Sequence, residues 1–145
     1  MRKFEKVRYD DTGILPTRAD LGSAGHDFYT PIDLEIKPGE IVKFNTNIKV
    51  IMEPDEVLLL FVRSSIGIKK NLMLCNGTGV IDSTYYNNPD NEGNIIGALF
   101  NYGNETQYIK AGERVIQGVF VKYLITDNDK PLSDKRIGGV GSSGK

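Results

Sequence analysis

Residues 37–62 read Lys37-Pro38-Gly39-Glu40, then Ile41-Val42-Lys43-Phe44-Asn45-Thr46-Asn47-Ile48-Lys49-Val50-Ile51-Met52, then Glu53-Pro54-Asp55-Glu56, then Val57-Leu58-Leu59-Leu60-Phe61-Val62. Two turn signals rich in Pro, Gly and Asp bracket a segment of strand length. Within it Ile41, Lys43, Asn45 and Asn47 alternate with Val42, Phe44, Thr46 and Ile48. That is the period of a half-buried strand, and it predicts one strand over Ile41–Met52. Val57–Val62 is a continuous apolar run of the kind found in a strand covered on both faces.

The same grammar extends outward. Residues 2–9 read as an edge strand through Phe4 and Val7, and Phe28-Tyr29 as a short strand ended by Pro31. Leu72–Leu74, Thr78–Ile81, Asn94–Tyr102 and Arg114–Ile125 read as further strands, the last preceded by the turn Ala111-Gly112-Glu113. Only Ser64–Lys70 suits a helix, with Ser64 as its expected N-cap. Short strands between regular turn signals predict an all-β sandwich or barrel with one short helix. From Thr126 the chain turns polar, and from Gly138 it is almost all Gly and Ser. The expected division is a β-barrel domain over 1–125 and a flexible C-terminal arm over 126–145.

The 145 residues fit one domain, and 18 basic against 19 acidic residues give no field that favours nucleic acid. Cys75 is the only cysteine, so no intrachain disulfide forms. The start, Met1-Arg2-Lys3-Phe4-Glu5-Lys6, has no apolar signal segment, and no apolar run nears the roughly 18 residues that span a bilayer. The expectation is a cytoplasmic protein without a membrane partner. His26 is the only histidine, which leaves little for a catalytic triad or a zinc cage.

Chemistry concentrates in three places. Arg63-Ser64-Ser65 joins an apolar strand to a helix start, where unpaired N–H groups, hydroxyls and a guanidinium suit a phosphate. The same tripeptide also reads as a cap beside a surface arginine. Asn76-Gly77-Thr78-Gly79-Val80-Ile81-Asp82 allows close backbone approach to a flat polar ligand, with Asp82 beside it and Tyr85 just beyond. Asp82 orients and deprotonates a water, or is a turn carboxylate satisfied by the backbone. The tail is a frayed end or an arm that orders over a ligand. It is not a P-loop, because it follows no strand into a helix.

In order along the chain, these pieces resemble the trimeric dUTPases in five motifs. They are Ala24–Phe28, Val62–Lys69 (with Val62 where proline is usual), Asn76–Tyr85, Gly112–Gln117 and Gly138–Gly144. The resemblance implies a jelly-roll-like β-barrel, a dUTPase-like β-clip. It also implies hydrolysis of dUTP to dUMP and pyrophosphate with Mg2+, by a homotrimer with sites shared between subunits. A family site takes its second and fourth motifs from one subunit, its third from another and its fifth from a third. Carried onto this chain, Asp82 activates the water and Tyr85 lies under the deoxyribose. Asn76 and the backbone of Gly79, Val80 and Ile81 read the uracil edge, with Ile96 beside them. Arg63, Ser64, Ser65 and Gln117 hold phosphates, and Asp27 lies in the outer shell of the metal. Arg136 or Lys135 meets the terminal phosphate, and Val140, Gly141, Ser142 and Ser143 close over the nucleotide.

Two departures stand out. Val140 occupies the place of an aromatic that covers the base. Residues 86–94, Tyr-Asn-Asn-Pro-Asp-Asn-Glu-Gly-Asn, exceed the family's turn and read as an inert surface loop or a docking loop for a partner protein. They motivate an alternative, a nucleotide-sensing regulatory binding protein on the same scaffold. A dCTP deaminase shares the architecture, but Ser83-Thr84-Tyr85 follows the Ile-Asp pair where its pattern differs.

Overall fold

The computed structural model describes residues 1–8, 12–136 and 138–141. It contains eleven strands: β1 Lys3–Lys6, β2 His26–Tyr29, β3 Leu34–Ile36, β4 Ile41–Asn45, β5 Ile48–Ile51, β6 Glu56–Val62, β7 Leu72–Leu74, β8 Gly79–Asp82, β9 Ile96–Asn101, β10 Gln107–Ile109 and β11 Arg114–Lys122. The helix α1 spans Ser64–Lys70, and a 3-10 turn spans Ser83–Tyr85. All strand pairs among the described residues are antiparallel. The larger sheets run β2-β11-β6-β8 and β4-β9-β7, and β1-β5 and β10-β3 form two-stranded ribbons. One core draws Phe28, Ile36, Phe44, Val50, Leu58, Ile66, Leu72, Leu99, Ile109 and Ile116 from all four sheets and the helix. This is an all-β jelly roll with one short helix.

The alternation holds from Ile41 to Thr46 and fails beyond it, where Asn47 and Lys49 are buried, and the expected single strand is two. The chain leaves β4 at Asn45 and enters β5 at Ile48, and the two pair in different sheets. Asn47 makes the corner in the left-handed region at φ 60, which asparagine tolerates better than most residues. Thr46 seals the bend: its hydroxyl donates to Ile95 O at 2.7 Å and accepts from Ile48 N at 3.2 Å, both buried.

The helix lies where expected but starts differently. Arg63, not Ser64, is the N-cap, in extended conformation and without a side-chain cap bond. Ser64 is the first helical residue. Asn71 ends the helix at φ 55, and Lys69 and Lys70 in the last turn complement its carbonyl end.

Two features of the four-stranded sheet prepare the site. Gly79 is buried against Leu60, and a Cβ there would sit 2.8 Å from Leu60 Cβ, so only glycine lets β8 approach β6 so closely. As the edge strand, β8 keeps one row of main-chain N–H and C=O groups outside the sheet's ladder. No helix among the described residues is long and apolar enough to cross a membrane.

Candidate active site

The residues singled out in the sequence fall into two clusters. One is a cleft of about 280 Å³ lined by Asn76, Gly79, Val80, Ile81, Asp82, Tyr85 and Ile96, with Leu60 at its floor. Arg136, Gly139, Val140 and Gly141 of the arm close it from the other side. The third and fifth motifs of one chain therefore meet, where the resemblance implies that a site takes them from different subunits. Ser142 and Ser143 lie outside the described residues.

Within this cleft Asp82 is half exposed, and Arg136 Nη2 donates to its Oδ2 at 3.0 Å. The Arg136 guanidinium also lies over the Tyr85 ring at 5.5 Å and donates from Nε to Thr84 Oγ1 at 3.3 Å. Tyr85 is buried, with its hydroxyl donating to Asn94 O at 2.7 Å and accepting from Asn91 Nδ2 at 2.9 Å. Burial pushes its phenol above the ordinary value, opposed by the Asn91 bond and the Arg136 charge. The ring is thus a neutral, fixed wall. Of the two tail cations, Arg136 enters the cleft, whereas Lys135 is exposed.

The second cluster is a basic cleft of about 490 Å³ lined by Tyr29, Arg63, Ser65, Ile66, Lys69, Lys70, Gln107, Gly112, Glu113 and Arg114. Four cations face a single carboxylate there, which suits a polyanion. Ser64 is exposed at the start of α1. Gln117 Nε2 donates to Val62 O at 3.4 Å. Asp27 lies between two guanidinium groups, with Arg114 Nη1 at 3.1 Å and Arg63 Nε at 3.7 Å. Its carboxylate is engaged in holding the arginines of the second and fourth motifs together. Among the described residues no group of three or more His, Cys, Asp or Glu could hold a metal ion. Magnesium would therefore depend on oxygens brought by a ligand.

The strand that joins the clusters also separates them. Asp82 pairs with Val57 near the start of β6, whereas Arg63 follows its far end at Val62. At about 3.3 Å per residue the two lie roughly 20 Å apart along the strand. Asp82 and Arg63 thus stand at opposite ends of β6. The arm begins on the Asp82 side: Lys122 pairs with Glu56 in β11, next to the Val57–Asp82 pair on the opposite edge of β6. Crossing β6 from β11 to β8 spans about 10 Å. Residues 123–135 reach that far easily at roughly 3.3 Å per extended residue.

Several residues of these clefts escaped the sequence reading. Thr84 sits inside the quoted Asp82–Tyr85 motif, and Arg114 inside the fourth. Leu60 carried no signal beyond its apolar run. Asp90 and Asn91 reach the arm from an insert whose density of Asn and Asp was its only mark.

The dUTPase family model matches residues 11–144. The chain is 44% identical over 147 residues to the deoxyuridine 5'-triphosphate nucleotidohydrolase of Lactococcus lactis subsp. lactis (strain IL1403), covering 99% of this chain and 98% of that one. It is 36% identical over 138 residues to the protein of that name from Haemophilus influenzae (strain PittEE), with 90% and 87% covered. The crystal structure of dUTPase from Streptococcus mutans matches with a TM-score of 0.80 at 45% identity, covering 86% of this chain and 98% of that one. The dUTPase of phage phi11 of S. aureus, at 19% identity and a TM-score of 0.77 over 92% and 97%, shares the fold. By the span of the family model and the full-length identity, the chain belongs to the dUTPase family.

Proposed function

We propose that this protein hydrolyses dUTP to dUMP and pyrophosphate in the cytoplasm, as a homotrimer whose sites are shared between subunits. The observation that carries this reading is the division of one site into two halves. The third-motif cleft offers a main-chain edge, a buried ring and a carboxylate. The second- and fourth-motif cleft offers the cations. Two copies joined face to face would unite them.

Uracil presents an acceptor, a donor and an acceptor along one edge. Main-chain groups of Gly79–Ile81 on the edge strand, with Asn76, can answer that pattern. Cytosine reverses part of it and would leave buried donors unpaired, a mismatch worth roughly 10⁴–10⁵ in discrimination where a site is built on such bonds. Tyr85 forms the wall beneath the sugar and leaves no room for a 2′-hydroxyl. Ile96 packs beside the base.

Arg63, Ser64, Ser65 and Gln117 of a neighbouring subunit would take the phosphates, with Asp27 holding Arg63 and Arg114 in place. Asp82 accepts a proton from water as its oxygen bonds to the α-phosphorus. The bond from that phosphorus to the bridging oxygen breaks, and pyrophosphate leaves with its electron pair. Mg2+ bound by the triphosphate oxygens and water would neutralise charge on the phosphates. Arg136 would exchange Asp82 for the terminal phosphate as the nucleotide enters, freeing the carboxylate for the water. Positioning and electrostatics supply most of such a rate enhancement, and the base adds about 10²–10⁴.

The test is a screen of dUTP, UTP, dCTP and dTTP with Mg2+, reading pyrophosphate and ammonia. Pyrophosphate from dUTP alone is expected. Tight dUTP binding without release would favour a regulatory nucleotide sensor, and ammonia from dCTP a deaminase.

A further inference from the structure

Residues 86–94 form a loop braced from two sides. Asn88 is buried and ties the segment from inside. Its Nδ2 donates to Tyr85 O and to Asn91 Oδ1, each at 2.8 Å, and its Oδ1 accepts from Asp90 N at 3.0 Å and Asn91 N at 3.1 Å. The barrel grips it from outside. Lys49 Nζ donates to Asn87 Oδ1 at 2.6 Å and lies 3.8 Å from Glu92, and the Tyr86 hydroxyl donates to Glu5.

This braced loop meets the arm. Gly139 N donates to Asp90 Oδ2 at 3.3 Å. Gly138 and Gly139 are buried, while Val140 beyond them is 78% exposed. A Cβ on Gly139 would sit 2.8 Å from Asp90 Oδ2 and 3.1 Å from Asn91 Nδ2, so a side chain there would push aside the two groups that hold the arm. The same Asn91 amide donates to the Tyr85 hydroxyl, and Arg136 Nη1 donates to the carbonyls of Gly138 and Gly139 at 3.4 and 3.3 Å. One connected set of bonds therefore runs from the insert through the arm to Arg136 and Asp82.

We propose that residues 86–94 are the docking floor of the Gly-rich arm, with Asp90 and Asn91 as positioning residues that hold it closed over the nucleotide. The inference rests on the dUTP reading. It explains how an arm with valine at 140 can close: main-chain bonds to the insert and to Arg136 take over from a ring stacked on the base.

The experiment compares wild type, Asp90→Ala, Asp90→Asn and Gly139→Ala by dUTP kinetics and by tryptic cleavage after Lys135 and Arg136. Cleavage is followed with and without a non-hydrolysable dUTP analogue. The analogue should protect the wild-type arm. Asp90→Ala and Gly139→Ala should lose that protection and about tenfold in kcat/KM. Asp90→Asn keeps an acceptor oxygen and should restore most of both. Gly139→Ala changes only the arm, so its loss cannot come from an unfolded barrel. Wild-type turnover with both alanine variants unaltered would overturn the docking floor alone. A wild-type protein that releases no pyrophosphate from dUTP would overturn the reading beneath it.

Discussion

Arg136 Nη2 sits 3.0 Å from Asp82 Oδ2, its guanidinium side chain 12% exposed and the carboxylate 48% exposed. The arm thus holds its cation on the one carboxylate of the nucleotide cleft, over the ring of Tyr85. Arg136, not its neighbour Lys135, is the tail cation that lines the cleft. Arg136→Ala should lower kcat/KM for dUTP about 10- to 100-fold, the size of a lost hydrogen bond between charged groups. Lys135→Ala should stay within about twofold, as expected for an exposed charge. Steady-state kinetics of the two variants decide it, and equal losses would remove the distinction.

Asp82→Asn keeps the size and one acceptor oxygen but cannot take a proton. Turnover should fall by about 10²–10⁴ while dUTP binding persists. Pyrophosphate release measured beside equilibrium binding of a non-hydrolysable analogue checks both halves. A near-normal kcat would exclude Asp82 as the base.

The ends of β6 make a separate prediction. Asp82 and Arg63 stand at opposite ends of β6, whereas Arg136 and Asp82 of one chain touch. Co-expressed with different tags and captured as mixed oligomers, Arg63→Ala and Asp82→Asn chains should complement each other. In a trimer that contains both chain types, about one in three shared sites is intact. Arg136→Ala with Asp82→Asn should not complement if the Arg136–Asp82 pair within one chain is the one that serves the shared site. Recovery in the second mixture would mean that the arm crosses to another subunit.

The strands were legible because the hydrophobic pattern has only two periods to choose between. Val57–Val62 and Leu72–Leu74 appear within a residue of their expected bounds. Leu34–Ile36 and Gln107–Ile109 did not, because Glu35 and Gln107 leave neither three-residue strand an unbroken apolar run, as Leu72-Met73-Leu74 has. The break at Thr46-Asn47 was hidden because polar Asn47 and Lys49 continue the sequence alternation although both are buried. The third motif was legible as chemistry because two glycines, a carboxylate and a ring adjoin in sequence. The ion pairs were not: Asp27 meets Arg114 across a sheet, and Asp82 meets Arg136 through a long return of the chain. Nothing local to either carboxylate announces its partner. The grip of Asp90 on Gly139 is hidden for the same reason, because both residues suit an ordinary turn.

His26 gives the last prediction, one of stability. Its ring packs edge-on against Phe4 and Phe120, at 5.3 and 5.6 Å between centroids, and its Nδ1 is buried without a hydrogen-bond partner. Burial, helped by the positive charge of Arg18, pushes its pKa below the ordinary value, against a bond to the Gly118 backbone and the charge of Asp27. The folded state therefore binds this proton less readily than the unfolded chain. Its contribution is fully present above the unfolded value of about 6.5 and is lost as pH falls through that value toward the lower folded one. Urea midpoints should drop between about pH 7 and pH 5, above the range where carboxylates titrate. His26→Phe keeps the aromatic packing and removes the titration. It should flatten that slope even if it lowers the midpoint at neutral pH, and an unchanged slope would place the acid sensitivity elsewhere.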